Sequence, residues 1–122
     1  MLKGLGIDII PLDRISRWMD RYADETLGLV FTGKELQACR RASRPERYFA
    51  ICFAGKEAVG KALGTGLAGI AWNEIEIAVR PSSLDVALSG NALRQAAEQG
   101  IRRWTMTRSH TSTYVCVVAI AE

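Results

Sequence analysis

One stretch constrains the fold more than any other. From Pro45 to Gly64 the chain reads PERYFAICFAGKEAVGKALG. A proline is tolerated at the first turn of a helix, and a glycine can end one in the left-handed conformation. The spacing therefore predicts a helix from Pro45 to about Leu63, with Gly64 as its stop. Inside it, and running to Leu67, the segment FAGKEAVGKALGTGL holds two lysines, one glutamate and four glycines. Glu57 and Lys61 lie one turn apart, and the helix then gives way to Gly64-Thr65-Gly66. An i,i+4 ion pair and a C-cap account for this arrangement, and so does a site for phosphate and metal. The choice depends on the rest of the chain.

The flanking segments read as a mixture of strands and helices. LKGLGIDII, from Leu2 to Ile10, is a first strand with Asp8 near its end. Pro11 follows at a helix start, and Ile15, Trp18, Met19 and Tyr22 recur at i, i+3, i+4 and i+7 as one apolar face. Arg14, Arg17 and Arg21 form a separate stripe, with Asp13 and Asp20 on a third side. Thr32 and Glu35 have the spacing of a capping box opening a short helix. WNEIEIAV and LDVALSG alternate with period 2 across the turn RPSS, a hairpin. NALRQAAEQG is a helix stopped at Gly100, and IRRWTMTRSH and STYVCVVAIA are two last strands. The order β-α-α-α-β-β-α-β-β makes an α+β fold with a largely antiparallel sheet packed against helices. With 122 residues and no repeat or boundary signal, a single domain over 1–122 is expected.

Bulk properties narrow the function classes. Hydrophobic residues make up 48% of the chain, enough for a core without staples. The opening MLKGLGIDII carries Asp8 within its apolar stretch and no small-residue cleavage site, so a cytoplasmic protein without a membrane span is expected. Cys39, Cys52 and Cys116 are odd in number and far apart, and read as buried thiols. The net charge of +3 is compatible with an anionic partner. A nucleic-acid-binding module is disfavoured, because the strands lack interleaved basic and aromatic residues.

Asp8 tilts the balance at Glu57 and Lys61. A carboxylate at the end of an apolar strand is costly unless it is paired or metal-bound. Two carboxylates completed by waters and phosphate oxygens make a Mg²⁺ set, with a lysine to hold the phosphates. A lone histidine such as His110 reads first as a structural one, and its place at a strand end among hydroxyls suits an anion contact as well. The arginine stripe reads as a solvated face, and the basic segment Arg40–Arg47 as an exposed loop.

Four segments carry a resemblance across nearly the whole chain: GIDIIPLDRI, RYFAICFAGKEAVGKALGTGL, WNEIEI and SHTSTYVCVVA. In this order and spacing they resemble the holo-(acyl-carrier-protein) synthase group of 4′-phosphopantetheinyl transferases. The resemblance implies transfer of phosphopantetheine from coenzyme A to a carrier-protein serine, with Mg²⁺ as cofactor and adenosine 3′,5′-bisphosphate released. It implies Asp8 and Glu57 as metal ligands and catalytic carboxylates, and Lys61 as a catalytic contact to the pyrophosphate. Gly64, Thr65 and Gly66 would line the coenzyme cleft, and His110 would lie by the 3′-phosphate or adenosine. Deprotonation of the serine would be direct or through water. The implied partner is an acidic acyl carrier protein, of fatty-acid, polyketide or peptide synthesis, and the implied assembly is a homotrimer with sites between subunits. Arg14 matches the family pattern at the carrier-binding face, and periodicity extends that face to Arg17 and Arg21. Arg44 and Arg47 are candidates for the 3′-phosphate. A non-catalytic relative is disfavoured by the intact Asp8, Glu57 and Lys61.

Two positions depart from the family. Gly55 stands where alanine is usual, at a cost of up to about 1 kcal/mol in a helix. Arg108 stands where the family has an apolar residue before Ser109-His110, and would add a contact to phosphate or carrier.

Overall fold

The computed structural model describes residues 1–122. The chain runs β1 (Gly4–Pro11), α1 (Leu12–Arg21), a four-residue α2 (Asp24–Leu27), α3 (Gly33–Arg41) and α4 (Pro45–Ala62). After a 3₁₀ turn at Trp72–Glu74 come β2 (Ile75–Val79), β3 (Leu84–Leu88), α5 (Gly90–Glu98), β4 (Trp104–His110) and β5 (Tyr114–Ala121). The fold is α+β and every strand pair is antiparallel, as expected, but the strands form two sheets. One has the order β1-β5-β4 and the other is the β2-β3 hairpin. No helix is long and apolar enough to cross a membrane.

Helix α4 is the centre. Twelve of its eighteen residues are buried, and Phe49, Ala50, Cys52, Ala54, Ala58 and Val59 are wholly inaccessible. It packs on β1, β5, β2, α3 and α1. Pro45 sits in its first turn as predicted. At its end Gly64 adopts φ +88°, the left-handed stop.

The approach of β1 to α4 is a backbone-to-backbone contact. A Cβ on Gly6 would stand 1.8 Å from the Ala58 carbonyl oxygen, and one on Gly4 would stand 2.0 Å from that of Ala62. Only glycine allows the strand to lie so close to the helix. At the other half of α4, a Cβ on Gly55 would meet Ile77 at 3.0 Å and Met106 at 3.5 Å, so this glycine is matched by close packing against β2 and β4.

The Thr32–Glu35 capping box is present in both directions, with Glu35 N–H to Thr32 Oγ1 at 3.2 Å and Thr32 N–H to Glu35 Oε1 at 2.8 Å. Glu35 does more than cap. It is buried, and its carboxylate also accepts Lys56 Nζ at 2.7 Å and Ile77 N–H at 2.7 Å. Lys56 is wholly buried, and its remaining donors go to the carbonyls of Trp72 and Ile75. Burial pushes the Glu35 carboxyl up, against the opposing pull of Lys56 and the Ile77 and Thr32 amides. This network ties α3, α4 and β2 together.

Several boundaries differ from expectation for physical reasons. Pro11 ends β1 in extended conformation and α1 starts at Leu12. Trp72 and Asn73 precede β2, because Trp72 stacks on Phe53 with ring centroids 4.9 Å apart. Strand β4 begins at Trp104 and β5 at Tyr114, later than the alternation suggests. Tyr22 lies beyond α1 and is exposed, so the apolar face consists of Ile15, Trp18 and Met19. Cys39 and Cys52 are buried free thiols, and Cys116 is half-buried.

Candidate active site

Asp8 lies on the β1 face that the glycines press onto α4. Lys61, in the last turn of α4, donates to the Ile7 carbonyl at 2.9 Å and to Asp8 Oδ1 at 3.2 Å. The ion pair that helical spacing suggests between Glu57 and Lys61 is not formed. Close packing of β1 places a carboxylate and a carbonyl within reach of Lys61, and together they outcompete a mobile i,i+4 partner. Asp8 is largely enclosed, with 18% of its side chain exposed, whereas the Lys61 side chain is 49% exposed and open to an incoming anion.

Glu57 completes the group. It is half-buried and makes no hydrogen bond of its own in this arrangement. Burial raises its pKa first and the Asp8 charge raises it further, against the opposing effects of Lys61 and Arg14. Asp8 and Glu57 thus face one electrostatic environment. No cluster of three or more His, Cys, Asp and Glu side chains suited to a metal exists. Asp8 and Glu57 are hard oxygen donors, of the kind that a cation completing its shell with water and phosphate oxygens takes one or two of.

The Gly64-Thr65-Gly66 turn follows at the end of α4 and folds back on it. A Cβ on Gly60 would lie 2.9 Å from the Gly66 carbonyl oxygen. Gly66 has φ +59°, and the space where a side chain would stand is open at both Gly64 and Gly66. Helix α5 and its C-cap residue hold this turn. Thr65 Oγ1 bonds Gln95 Oε1 at 3.1 Å, and Gln99 Nε2 donates to the Leu63 carbonyl at 2.8 Å. Neither glutamine carried a sequence signal, because both contacts span thirty or more residues.

His110 is not part of this group. It stands at the end of β4 beside a cleft of about 300 Å³ that includes Ser43, Arg44, Arg47, Tyr48 and Arg108, but none of Asp8, Glu57 and Lys61. Arg47 Nε is buried there without a hydrogen-bond partner. Arg47 and Glu57 are ten residues apart on α4, about 15 Å along the helix. In the sheet, Asp8, Val117 and Arg108 share one row, with buried Val117 between the other two. Asp8 and the Arg108–His110 end of the basic cleft thus lie on opposite edge strands, β1 and β4, while Glu57, Arg44 and Arg47 are carried by α4 and its N-cap.

The arginine stripe is exposed, as expected, but part of it is neutralised. Arg17 pairs with Asp13 at 3.3 Å, since i and i+4 side chains meet on a helix whatever stripe each belongs to. Arg14 lies over the Trp18 ring at 5.0 Å, and Arg21 forms no ion pair. In the Arg40–Arg47 segment, Arg40 pairs with Asp24 at 2.6 Å, and Arg44 and Arg47 turn to the cleft. Arg108 is committed to backbone carbonyls of the β2–β3 turn, a protein contact in place of the expected contact to phosphate or carrier.

The sequence profile of the 4′-phosphopantetheinyl transferase superfamily matches residues 4–119. The chain belongs to this superfamily. A holo-[acyl-carrier-protein] synthase of Chlamydia trachomatis is 41% identical over 120 residues, spanning 98% of each chain. Among solved structures, the holo-[acyl-carrier-protein] synthase of Neisseria meningitidis superposes with a TM-score of 0.87 at 33% identity, over 100% of this chain and 99% of that one. A Bacillus anthracis holo-(acyl-carrier-protein) synthase in complex with CoA (3′,5′-ADP) superposes with a TM-score of 0.78 at 25% identity, over 100% and 97% of the two chains. In this chain the shared fold carries the carboxylates, the glycine turn and the basic cleft described above.

Proposed function

We propose that this chain transfers the 4′-phosphopantetheine group of coenzyme A to a serine hydroxyl of an apo acyl carrier protein. The observation that carries the reading is the meeting of Asp8, Glu57 and Lys61 at the β1–α4 contact in a member of this superfamily. The serine oxygen forms a bond to the β-phosphorus of coenzyme A. The bond from that phosphorus to the oxygen bridging the two phosphates breaks, and adenosine 3′,5′-bisphosphate leaves. Lys61, half-exposed beside Asp8, reaches the pyrophosphate and offsets its charge. Glu57, whose carboxyl is pushed up by burial and then by the Asp8 charge, takes the serine proton directly or through a water. Asp8 and Glu57 would hold Mg²⁺, which supplies further neutralisation of the pyrophosphate when bound. Incubating the chain with coenzyme A, Mg²⁺ and apo carrier, and weighing the carrier, tests this reading. A carrier that gains no phosphopantetheine mass refutes it.

The assembly we infer is a homotrimer with shared sites. Leu5, Ile7 and Ile9 on the outer face of β1 are 52%, 48% and 60% exposed. They pair across the ladder with Ile120, Val118 and Cys116. Such a continuous apolar sheet face favours burial against copies of the same chain. Asp8 on one edge strand and the Arg108–His110 end of the basic cleft on the other suit a ring, in which β1 of one copy meets β4 of the next. Coenzyme A would then take its metal site from one chain and its 3′-phosphate site, with His110, Arg44 and Arg47, from another. At a coenzyme A concentration low enough that each variant alone is impaired, mixing Asp8→Ala with Arg47→Ala chains should restore up to about a quarter of wild-type activity if they combine at random. No recovery after exchange of subunits would refute shared sites.

The carrier surface we infer is the exposed stripe on α1. It borders an apolar groove formed by Trp18, Tyr22, Leu27 and Val30, so charge and apolar contact adjoin. Because Arg17 is shared with Asp13, Arg21→Glu should raise KM for the carrier more than Arg17→Glu, with KM for coenzyme A unchanged. The effect should shrink with salt. Equal carrier KM values for the combined Arg17→Glu, Arg21→Glu variant and the wild type at low salt would make the stripe a solvated face.

A further inference from the structure

The two sheets share no hydrogen-bonded ladder. At the cleft end they are joined by one side chain. Arg108, from β4, donates through Nη1 to the Ser83 carbonyl at 2.8 Å. Through Nη2 it donates to the Arg80 carbonyl at 2.6 Å and the Pro81 carbonyl at 3.1 Å. These carbonyls belong to the turn that follows β2, closed by Arg80 N–H to the Ser83 carbonyl at 3.0 Å. The last residue of β2, Val79, lines the basic cleft and accepts the Tyr48 hydroxyl at 3.4 Å. Arg108 lines the same cleft beside His110, Arg44 and Arg47.

The chemistry of the clasp is specific to a planar fork. A guanidinium presents several fixed donors that can meet three carbonyls at once, whereas an ammonium is a compact charge on a flexible stem. Three donor contacts are already spent on the turn, so the group serves to hold the wall in place. The cations facing the cleft are then Arg44 and Arg47, with His110 beside them, and the position of the Val79–Tyr48 wall against them depends on the clasp.

We propose that Arg108 is a positioning residue that sets selectivity for the 3′-phosphate of coenzyme A, by locking the β2–β3 turn against β4 and so fixing the shape of the basic cleft. The inference rests on the coenzyme A reading above.

The test compares coenzyme A with 3′-dephospho-coenzyme A in wild type, Arg108→Lys and Arg108→Leu. Transfer kinetics are combined with calorimetric binding of each coenzyme in the absence of carrier. Both variants should weaken coenzyme A binding and raise its KM by about tenfold, while kcat and carrier KM stay within about twofold. Binding of the dephospho form should change little, so the preference for the 3′-phosphate collapses. A lysine variant that keeps the wild-type preference would show that charge, and not the clasp, is what matters, and would overturn the proposal. Parallel weakening of both coenzymes would mean a general loosening of the fold and would also overturn it, as would unchanged preference in both variants. Failure of the wild type to bind either coenzyme would instead remove the parent reading, and this inference with it.

Discussion

Replacing Asp8 by alanine, or Glu57 by glutamine, is expected to lower kcat/KM for transfer by about a hundred- to a thousandfold, the scale on which loss of one preorganised charge-stabilising group acts. The chain should stay folded, since both side chains are partly exposed and outside the apolar core. Asp8 requires a sharper control, because it also anchors Lys61 at 3.2 Å. An asparagine there keeps an oxygen acceptor for the lysine and removes the negative charge. If Asp8 serves the metal, Asp8→Asn should be nearly as impaired as Asp8→Ala, and Mg²⁺ should bind more weakly by calorimetry. An asparagine variant with near wild-type turnover at saturating Mg²⁺ would reduce Asp8 to an anchor for Lys61.

The second large effect concerns stability. Lys56→Met should destabilise the fold by about 3–5 kcal/mol, because Glu35 would be left buried without its counter-charge. Pairing it with Glu35→Leu removes the orphaned charge, but leaves the Thr32 and Ile77 amides without their acceptor. The double variant should therefore recover only part of the loss, since each unsatisfied buried donor costs about 1–3 kcal/mol. Urea denaturation of the wild type, both single variants and the double variant measures these differences. A Lys56→Met chain as stable as the wild type would mean that Glu35 is readily neutralised in place. Glu57 follows Lys56 directly on α4, so the same network fixes the roll of the helix that aims the candidate ligand.

What could be read in advance was local. The Pro45 start and Gly64 stop, the Thr32–Glu35 box and the alternation through Ile75, Ile77 and Val79 each depend on residues a few positions apart, and all are present in the structure. Asp8, Glu57 and Lys61 stood out by residue type and by family resemblance. Their mutual arrangement did not, because it depends on Gly4 and Gly6 meeting Ala62 and Ala58 more than fifty residues away. The same applies to Glu35 and Lys56, which look like surface charges by composition and are buried by tertiary packing. Arg108 illustrates the limit of residue type alone. Its charge suggested an anion ligand, yet carbonyls on a neighbouring hairpin occupy it.

The contrast between Lys56 and Lys61 also gives the chain a built-in chemical gauge. Amine-reactive reagents need a free, accessible nitrogen. Lys3, Lys34 and Lys61 are exposed to them, whereas Lys56 is sealed in the core. Modification of Lys61 therefore reports whether an anion shields the β1–α4 contact, and modification of Lys56 reports how often the whole helix comes away from its surroundings. Two lysines five positions apart thus separate occupancy from opening within a single labelled peptide map.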